Sequence, residues 1–454
     1  MLSYRIFLLN NFYRNEMHML SKRLLCQMLN VKNTIIDDFC FLEQQDSLII
    51  YVHPTKGQQC RCGKCGRKAP YYDGKDEVRL WRGLDLGLHK TYLAAYPYRV
   101  KCPEHGVTTA SVPWANLGSR FTRDFENVVA WLAVNCSKKA VSGLMRISWN
   151  SVGPIISRVR KELDPHPEDR FNNLRCIGID ETSYRKGHTY ITVVVNHDTG
   201  NVIWVGEGHD YETLSAFFEL LTPEQRASIE LVSADGAKWI ANCVRDYCPN
   251  AERCMDIFHV VEWANEALSQ IRIDSWHEAR KNVQKRNPGR PAKDSEPVED
   301  IASAIKGSKY ALGKNPENLT VNQMAKLEQI AITNPKLWRG YKLKEGLRCV
   351  FKMDFEEGTK ELDKWLGWAR RCRIPAFVEL GRKIKRHYEA ILKTMECGLS
   401  NAMNEAVNNK IKLTIRMAYG FRDIAAMIDM IMLRCSNIKV PFPWLKGGCC
   451  ATLD

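Results

Sequence analysis

The sequence predicts an α/β protein of several domains, on three observations. A strand-rich stretch between Cys176 and Gln270 reads in the order βββαβαβα. Two short motifs near the N-terminus, Cys62-Gly-Lys-Cys65 and Cys102-Pro-Glu-His105, have the spacing of zinc knuckles. From Asp300 to Glu396 almost every segment has helical periodicity, so this block reads as a helical insertion outside the sheet. With 454 residues, 45 % hydrophobic and 26 % charged, the chain has room for roughly two to four domains. A net charge of +14 and a sequence pI near 9.0 point to a polyanionic partner, nucleic acid before an anionic membrane surface.

Residues 1–50 form an N-terminal segment, of which 1–18 carry no chemistry; Met17, Met19 and the following LSKRLLCQMLNV read as a more natural start. Met1–Asn11 is too short, and too soon interrupted by Asn10, Asn11 and Arg14, to be a signal peptide, and no apolar run approaches the ~18 residues of a membrane span. A cytoplasmic, nucleoid-associated protein without a membrane partner is expected. The 17 cysteines are an odd number spread over a basic chain, and most are read as reduced, buried thiols.

Residues 51–115 hold the two knuckles. Tetrahedral zinc needs four thiolate or imidazole ligands converging from tight turns, and the x₂ spacing lets both side chains of a turn face one ion. Cys62, Cys65, Cys102 and His105 are therefore the expected zinc ligands, with Gly63 and Gly66 suited to the turns and Cys60 a spare thiol. Residues 116–168 read as three helices, Phe121–Asn135, Ser137–Leu144 and Ser148–Val159, with a break at Arg146–Ile147 between the last two. That is helix-turn-helix spacing, in which the last helix enters the major groove. Trp149, Asn150 and Ser151 are then expected near base edges, and Lys138, Lys139, Arg158 and Arg160 near phosphates. A plain three-helix bundle has the same pattern; the neighbouring ribbon and the basic charge favour DNA binding.

Within residues 171–275 the expected strands are Cys176–Asp180, Thr189–Asn196, Asn201–Glu207, Glu230–Ala234 and Arg253–Ile257; the expected helices are Tyr211–Leu221, Ala237–Tyr247 and His259–Ile271. Asp198-Thr199-Gly200 supplies a hairpin turn. Asp180 ends the first strand and Asp235 the fourth, and these are neighbours if the first strand is central. Taken singly, an Asp at a strand end is more often a turn former or a helix cap. Residues 276–395 comprise a linker, Arg280–Asp300, and the helical block, with Trp338, Trp365 and Trp368 as core anchors. In the linker, Gly289-Arg290-Pro291 flanked by Lys285, Arg286 and Lys293 reads either as a solvated basic loop or as a minor-groove hook. Residues 396–450 open with a helix, Ser400–Arg416, that sets Asn401, Glu405, Asn408 and Lys412 on one stripe and Met403, Val407 and Ile411 opposite. That polar front suits coordination and phosphate contact.

The segments GIDETS, SADGAKW, MDIFHVV, NEAVNNKIK and RMAYGFR together resemble the DDE transposases of bacterial insertion sequences, in particular the ISL-three family, over about residues 17–440. The resemblance implies a zinc-binding segment and a helix-turn-helix ahead of a ribonuclease-H-like catalytic domain split by the helical insertion. It implies that Asp180, Asp235 and Glu405 are the acidic triad and Lys412 the basic residue two helical turns later. The second knuckle departs from the family's usual C-x₂-C by ending in His105, an equally good ligand. Cutting and rejoining DNA in this way needs two Mg²⁺ ions about 3.5–4 Å apart held by carboxylates. Asp180 is then expected to bridge both, with Asp235 and Glu405 taking one each, Glu181 outside them and Lys412 at a phosphate. Asp256 is a helix N-cap candidate, Asp256 and His259 are given structural or supporting roles, and Trp239 is a core residue or a stacking platform for a base. The implied partners are terminal inverted repeats, target DNA and further copies of the chain. A non-catalytic DNA-binding regulator and a ribonuclease-H-like nuclease remain as alternatives. The enzymatic reading requires the carboxyls of residues 180, 235 and 405 to converge within a few ångströms.

Overall fold

The computed structural model describes residues 22–441 apart from 75, 186, 188, 285–300 and 400–401. The alternative start, the Gly289-Arg290-Pro291 loop with its flanking Lys285, Arg286 and Lys293, and Asn401 lie outside the described residues. The chain divides into two units, Met1–Pro165 with Thr414–Asp454, and His166–Leu413.

After a helix at 22–28, the first unit forms a sheet made of β1 (Thr34–Leu42), β2 (Ser47–Pro54), β4 (Arg79–Arg82) and β5 (Lys90–Ala95), in the order β1-β2-β5-β4; β3 (Tyr71–Gly74), β6 (Tyr98–Cys102) and β7 (Gly106–Thr109) form a second sheet in the order β3-β6-β7. Alternation along β2 buries Ile50 and Val52, which pack with Ile36, Trp81, Leu93 and Trp114. β2 pairs with β1 on one side and β5 on the other, so the division expected at residue 50 falls inside a fully paired strand. Three helices follow: α1 (Arg123–Asn135), α2 (Lys138–Leu144) and α3 (Trp149–Leu163). Each starts at a hydroxyl cap: Thr122, Ser137 and Ser148 accept from the backbone N–H groups of Phe125, Ala140 and Asn150. Between α2 and α3 the chain turns through Arg146 in the left-handed region, φ 53°.

The second unit opens with β8 (Cys176–Arg185), β9 (Thr189–Asn196) and β10 (Asn201–Glu207), an antiparallel meander. Then come α4 (Tyr211–Glu219), β11 (Leu231–Ala234), α5 (Lys238–Tyr247), β12 (Glu252–Met255) and α6 (Ile257–Gln284). The sheet order is β10-β9-β8-β11-β12, with β11 parallel to both β8 and β12, as helical crossovers require. Ile177, Ile179, Val232, Phe217, Phe218, Ile240 and Val244 form its core, with Trp239 packed against it, so Trp239 is a core residue.

β8 continues five residues past Asp180, because β9 pairs with it as far as Arg185; the expected strand end at Asp180 is on the β11 side only. The last strand is shorter than expected and the next helix longer, because Asp256 accepts from the Phe258 N–H at 2.8 Å and starts α6 at Ile257. Two short helices, Ile301–Gly307 and Lys309–Gly313, precede α7 (Val321–Thr333), α8 (Pro335–Val350), α9 (Phe355–Arg371), α10 (Pro375–Arg386) and α11 (Tyr388–Cys397). These pack with α6 around Leu268, Ile271, Leu337, Leu347, Trp365 and Phe377. Trp365 is buried and donates its indole N–H to the Leu343 carbonyl at 2.8 Å, and Trp338 packs against the same core. Trp368 is 39 % exposed and is not the core anchor expected. α12 (Ala402–Met417) contains the boundary between the two units.

α13 (Ile424–Cys435) belongs to the first unit and packs on α3 and α1. Its one acidic residue, Asp429, is 8 % exposed, accepts from Arg160 at 2.6 Å and also receives the Ser157 hydroxyl. Asp429→Ala removes the nearer of the two carboxylate partners of half-buried Arg160, leaving Asp164 at 3.7 Å, and is expected to destabilise the first unit by about 1–3 kcal/mol, measured by urea unfolding of the full chain.

Candidate active site

Strand register builds the site. In the parallel pair β11–β8 the last partners are Ser233 and Gly178, and in β11–β12 they are Ala234 and Met255. Asp235 lies two residues beyond Ser233 and Asp180 two beyond Gly178; Asp256 lies one beyond Met255, as Asp235 does beyond Ala234. The three aspartates therefore form one row across the C-terminal ends of adjacent strands, where parallel sheets place their ligand sites. Side chains in register on parallel strands emerge on the same face, about 4.8 Å apart from strand to strand.

α12 is held against this row through two asparagines. Asn408 Nδ2 donates to Asp180 Oδ2 at 2.5 Å, while its Oδ1 accepts from the Thr182 hydroxyl at 2.8 Å. Asn404 is 1 % exposed and reaches Ser233, whose hydroxyl also contacts His197 Nε2 at 2.6 Å. The approach depends on Gly178: a Cβ there would stand 2.5 Å from the Asn404 amide and 2.7 Å from His197. The buried stripe of α12 is thus Asn404, Val407, Ile411 and Thr414, whereas Met403, expected on it, is 37 % exposed. Asn404, Thr182, Ser233 and His197 were not picked out by the sequence; the signal that could find Asn404 is its i,i+4 relation to Asn408.

The remaining contacts orient the acids. Asp180 Oδ1 accepts the Glu181 N–H at 2.7 Å, and Asp235 Oδ1 accepts the Ala237 N–H at 2.9 Å. Burial raises the pKa of Asp180, with the Glu181 N–H, His259 and Asn408 pulling the other way. Burial, then the charges of Asp235 and Asp180, push Glu181 up to about 7. Burial works against the His259 imidazolium, but Asp256, Glu262, Asp180 and Asp235 outweigh it and hold its pKa above the ordinary value. His259 sits 3.6 Å from Asp256 and 3.1 Å from Glu262. It is a basic group set among these acids.

Glu405 stands on α12 three residues before Asn408 and is exposed, as is Lys412. Among the described residues, the one group of three or more Cys, His, Asp or Glu with all ligand atoms within 4.8 Å of one another is the cysteine/histidine set. Asp180 and Asp235 share the row, and the α12 side chain hydrogen-bonded to Asp180 is Asn408.

That other set is Cys62, Cys65, Cys102 and His105. Its edges are 3.7 Å for Cys65–Cys102, 3.7 Å for Cys102–His105 and 3.9 Å for Cys62–His105. A tetrahedron with zinc–sulfur arms of ~2.3 Å has edges of about 3.8 Å, so these four side chains fit structural zinc. Gly63 lets the first knuckle close, since a Cβ there would lie 2.5 Å from the Thr109 carbonyl oxygen. Cys60 is outside the cluster and donates its backbone N–H to the Tyr98 hydroxyl. The described cysteines are all free.

In the helix-turn-helix, several residues expected at DNA have internal partners. Lys138 is buried, which lowers its pKa, and lies 4.4 Å over the Trp149 ring. Arg158 pairs at 2.6 Å with Glu126, itself fully buried, and Arg160 pairs with Asp429. Lys139 and Asn150 are exposed and Ser151 is half-buried at the start of α3.

An acid row at the C-terminal ends of parallel strands, in a chain with a Cys/His cluster of zinc-site dimensions and a helix-turn-helix, is the arrangement expected of a DDE transposase. Three family models agree: one described as "Transposase" matches residues 177–431, "Helix-turn-helix domain of transposase family ISL3" matches 110–160, and "zinc-finger of transposase IS204/IS1001/IS1096/IS1165" matches 58–105. The transposase for insertion sequence element IS1557 of Mycobacterium tuberculosis is 47 % identical over 432 residues, 93 % of this chain and 97 % of that protein. The transposase for insertion sequence element IS1001 of Bordetella parapertussis is 26 % identical over 380 residues, covering 83 % and 89 %. The chain belongs to the ISL3 family of transposases. Among the described residues no helix is long and apolar enough to cross a membrane.

Gly178→Ala forces the Asn404 amide and His197 away from β8; it is expected to destabilise the second unit by about 1–3 kcal/mol, read as a lower thermal unfolding midpoint.

Proposed function

We propose that this transposase binds the terminal inverted repeats of its own insertion element and, acting with further copies of the chain, cuts the element's ends and joins them to target DNA. The catalytic part, residues 171–275 and 396–450, is read as a ribonuclease-H-like sheet interrupted by a linker and helical insertion, residues 276–395. The observation that carries the reading is the register of Asp180 and Asp235, with α12 fastened to Asp180 by Asn408.

Carboxylate oxygens are hard ligands, and Asp180 and Asp235 offer them from adjacent strand ends; with Glu405 from α12 they would hold two magnesium ions. Such ions, when bound, activate the attacking water or 3′-hydroxyl and stabilise the leaving oxygen. Asn408 fixes the rotamer of Asp180 from one side and the Glu181 N–H from the other. Asp256, capping α6, holds His259 where its positive charge offsets the acid row. Lys412 is assigned to a phosphate, Lys139, Asn150 and Ser151 to the DNA face of the helix-turn-helix, and Trp149 with Lys138, Arg158 and Arg160 to positioning α3. Cys62, Cys65, Cys102 and His105 would hold zinc and keep the ribbon folded. A nucleoid-associated, cytoplasmic protein follows from this reading.

The test uses the full chain and a duplex carrying the repeats that border its coding sequence. Asp180→Asn is expected to bind within about twofold of wild type while strand cleavage falls about a thousandfold or more, the several kcal/mol that metal-held charge supplies. Glu405→Gln should behave alike. Cleavage by Asp180→Asn at the wild-type rate overturns the reading, and so does a wild-type chain that binds the repeats and never cuts them. Metal analysis should find about one zinc per chain, and chelation or Cys102→Ser should abolish repeat binding.

A further inference from the structure

Asp235 has basic neighbours from β12 and from the helical block that the acid row does not account for. Arg253 on β12 donates Nη2 to the Asp235 backbone carbonyl at 2.9 Å, while its buried Nε has no hydrogen-bond partner among the described residues. Lys383 on α10 places its ammonium 3.6 Å from the centre of the Trp263 ring on α6. His387, directly after α10, lies 5.7 Å from the same ring. That indole packs on the Asp235 loop: a Cβ at Gly236 would stand 3.1 Å from it. Arg253, Lys383 and His387 all lie within reach of the Asp235 charge.

Arg253 and Lys383 are not balanced as a surface pair would be, while burial and the charges of Arg253, Arg386 and Lys383 hold the pKa of the His387 imidazole below its ordinary value. Glu266 also faces Lys383, yet among the described residues neither Lys383 nor Arg253 makes a side-chain ion pair with any carboxylate. Arg386, three residues further along the helix, is different, since it pairs with Glu379 at 3.5 Å. An ammonium held on an aromatic face is attracted by the ring quadrupole, and its three N–H donors still want oxygen acceptors. The indole thus holds a cation beside Asp235 and leaves its hydrogen-bonding capacity for a ligand.

We propose that Lys383, seated on Trp263 and flanked by His387 and Arg253, is a binding site for one backbone phosphate of the DNA strand that passes Asp235. Resting on the transposase reading above, this gives the helical block a direct part in placing the strand to be cut. Lys383 contacts the phosphate, Trp263 positions Lys383, and Arg253 holds the Asp235 loop. A phosphodiester is the ligand this chemistry selects: a single-charged oxygen pair, met by one fixed ammonium and an imidazole at the edge of a nucleic-acid-processing centre.

The experiment measures binding and cleavage by the full chain on the repeat-bearing duplex, and on a set in which single phosphates around the cut are replaced by neutral methylphosphonates. Lys383→Ala is expected to weaken binding about tenfold and to lower the slope of log affinity against log salt by about one. Lys383→Arg should recover most of the affinity, and Trp263→Ala should reproduce much of the loss. One methylphosphonate position should weaken wild type and leave Lys383→Ala unchanged. If Lys383→Ala binds like wild type with the same salt slope, or if it loses affinity equally at every methylphosphonate position, the site is wrong and Lys383 is only a neighbour of Asp235. A misfolded Lys383→Ala would show a lowered unfolding midpoint and no rescue by Lys383→Arg, and that result also counts against the site. Failure of wild type to cut any duplex sinks the transposase reading instead, and the phosphate-by-phosphate binding comparison still decides this one.

Discussion

Parallel pairing of β8, β11 and β12 is the constraint on which the catalytic part depends. Backbone hydrogen bonding in that register puts Asp180, Asp235 and Asp256 in one line at the strand ends, whatever their charges prefer. Crowding like charges in a half-buried place is unfavourable, and the surroundings are arranged to tolerate it. Each aspartate accepts a backbone N–H from one or two residues further along the chain. His259 supplies positive charge, and Asn408 supplies a neutral donor where another acid would add repulsion. Glu181 shows the repulsion that remains, since burial and its two acidic neighbours push its carboxyl up to about 7 even with His259 pulling the other way.

The second consequence of that register is that the acid row lies at the C-terminal ends of the strands, and the chain brings two remote segments there. α12 approaches through Asn404 and Asn408, and Gly178 is bare so that it can. The α6–α10 helical block approaches from the Asp235 side through Trp263. Both are separated from β8 in sequence by many tens of residues, yet they meet the same few strand-terminal positions.

Much of this was legible in the residues. The β-branched run at Thr189–Asn196, the turn at Asp198-Thr199-Gly200 and the amphipathic stretches after it predict the βββαβαβα order that the sheet has. The knuckle spacing predicts the four residues that cluster, because two tight turns leave little freedom. Local signals failed where partners from afar decide. The β9 partner carries β8 beyond Asp180. Helical projection could not tell that Asn404 faces inward, since an amide is buried only when a hydroxyl such as Ser233 is waiting for it. Charge alone suggested Lys138, Arg158 and Arg160 for DNA, but Trp149, Glu126 and Asp429 meet them inside the first unit.

Asp429 lies in a helix far from the rest of the first unit in sequence, yet it joins Ser157 and Arg160 on the helix expected to read DNA. Translation runs from the N-terminus, so the residues that close that module leave the ribosome after the entire acid-bearing segment has been made. A nascent chain therefore cannot complete the contacts that hold α3 before β8, β11 and β12 have been made.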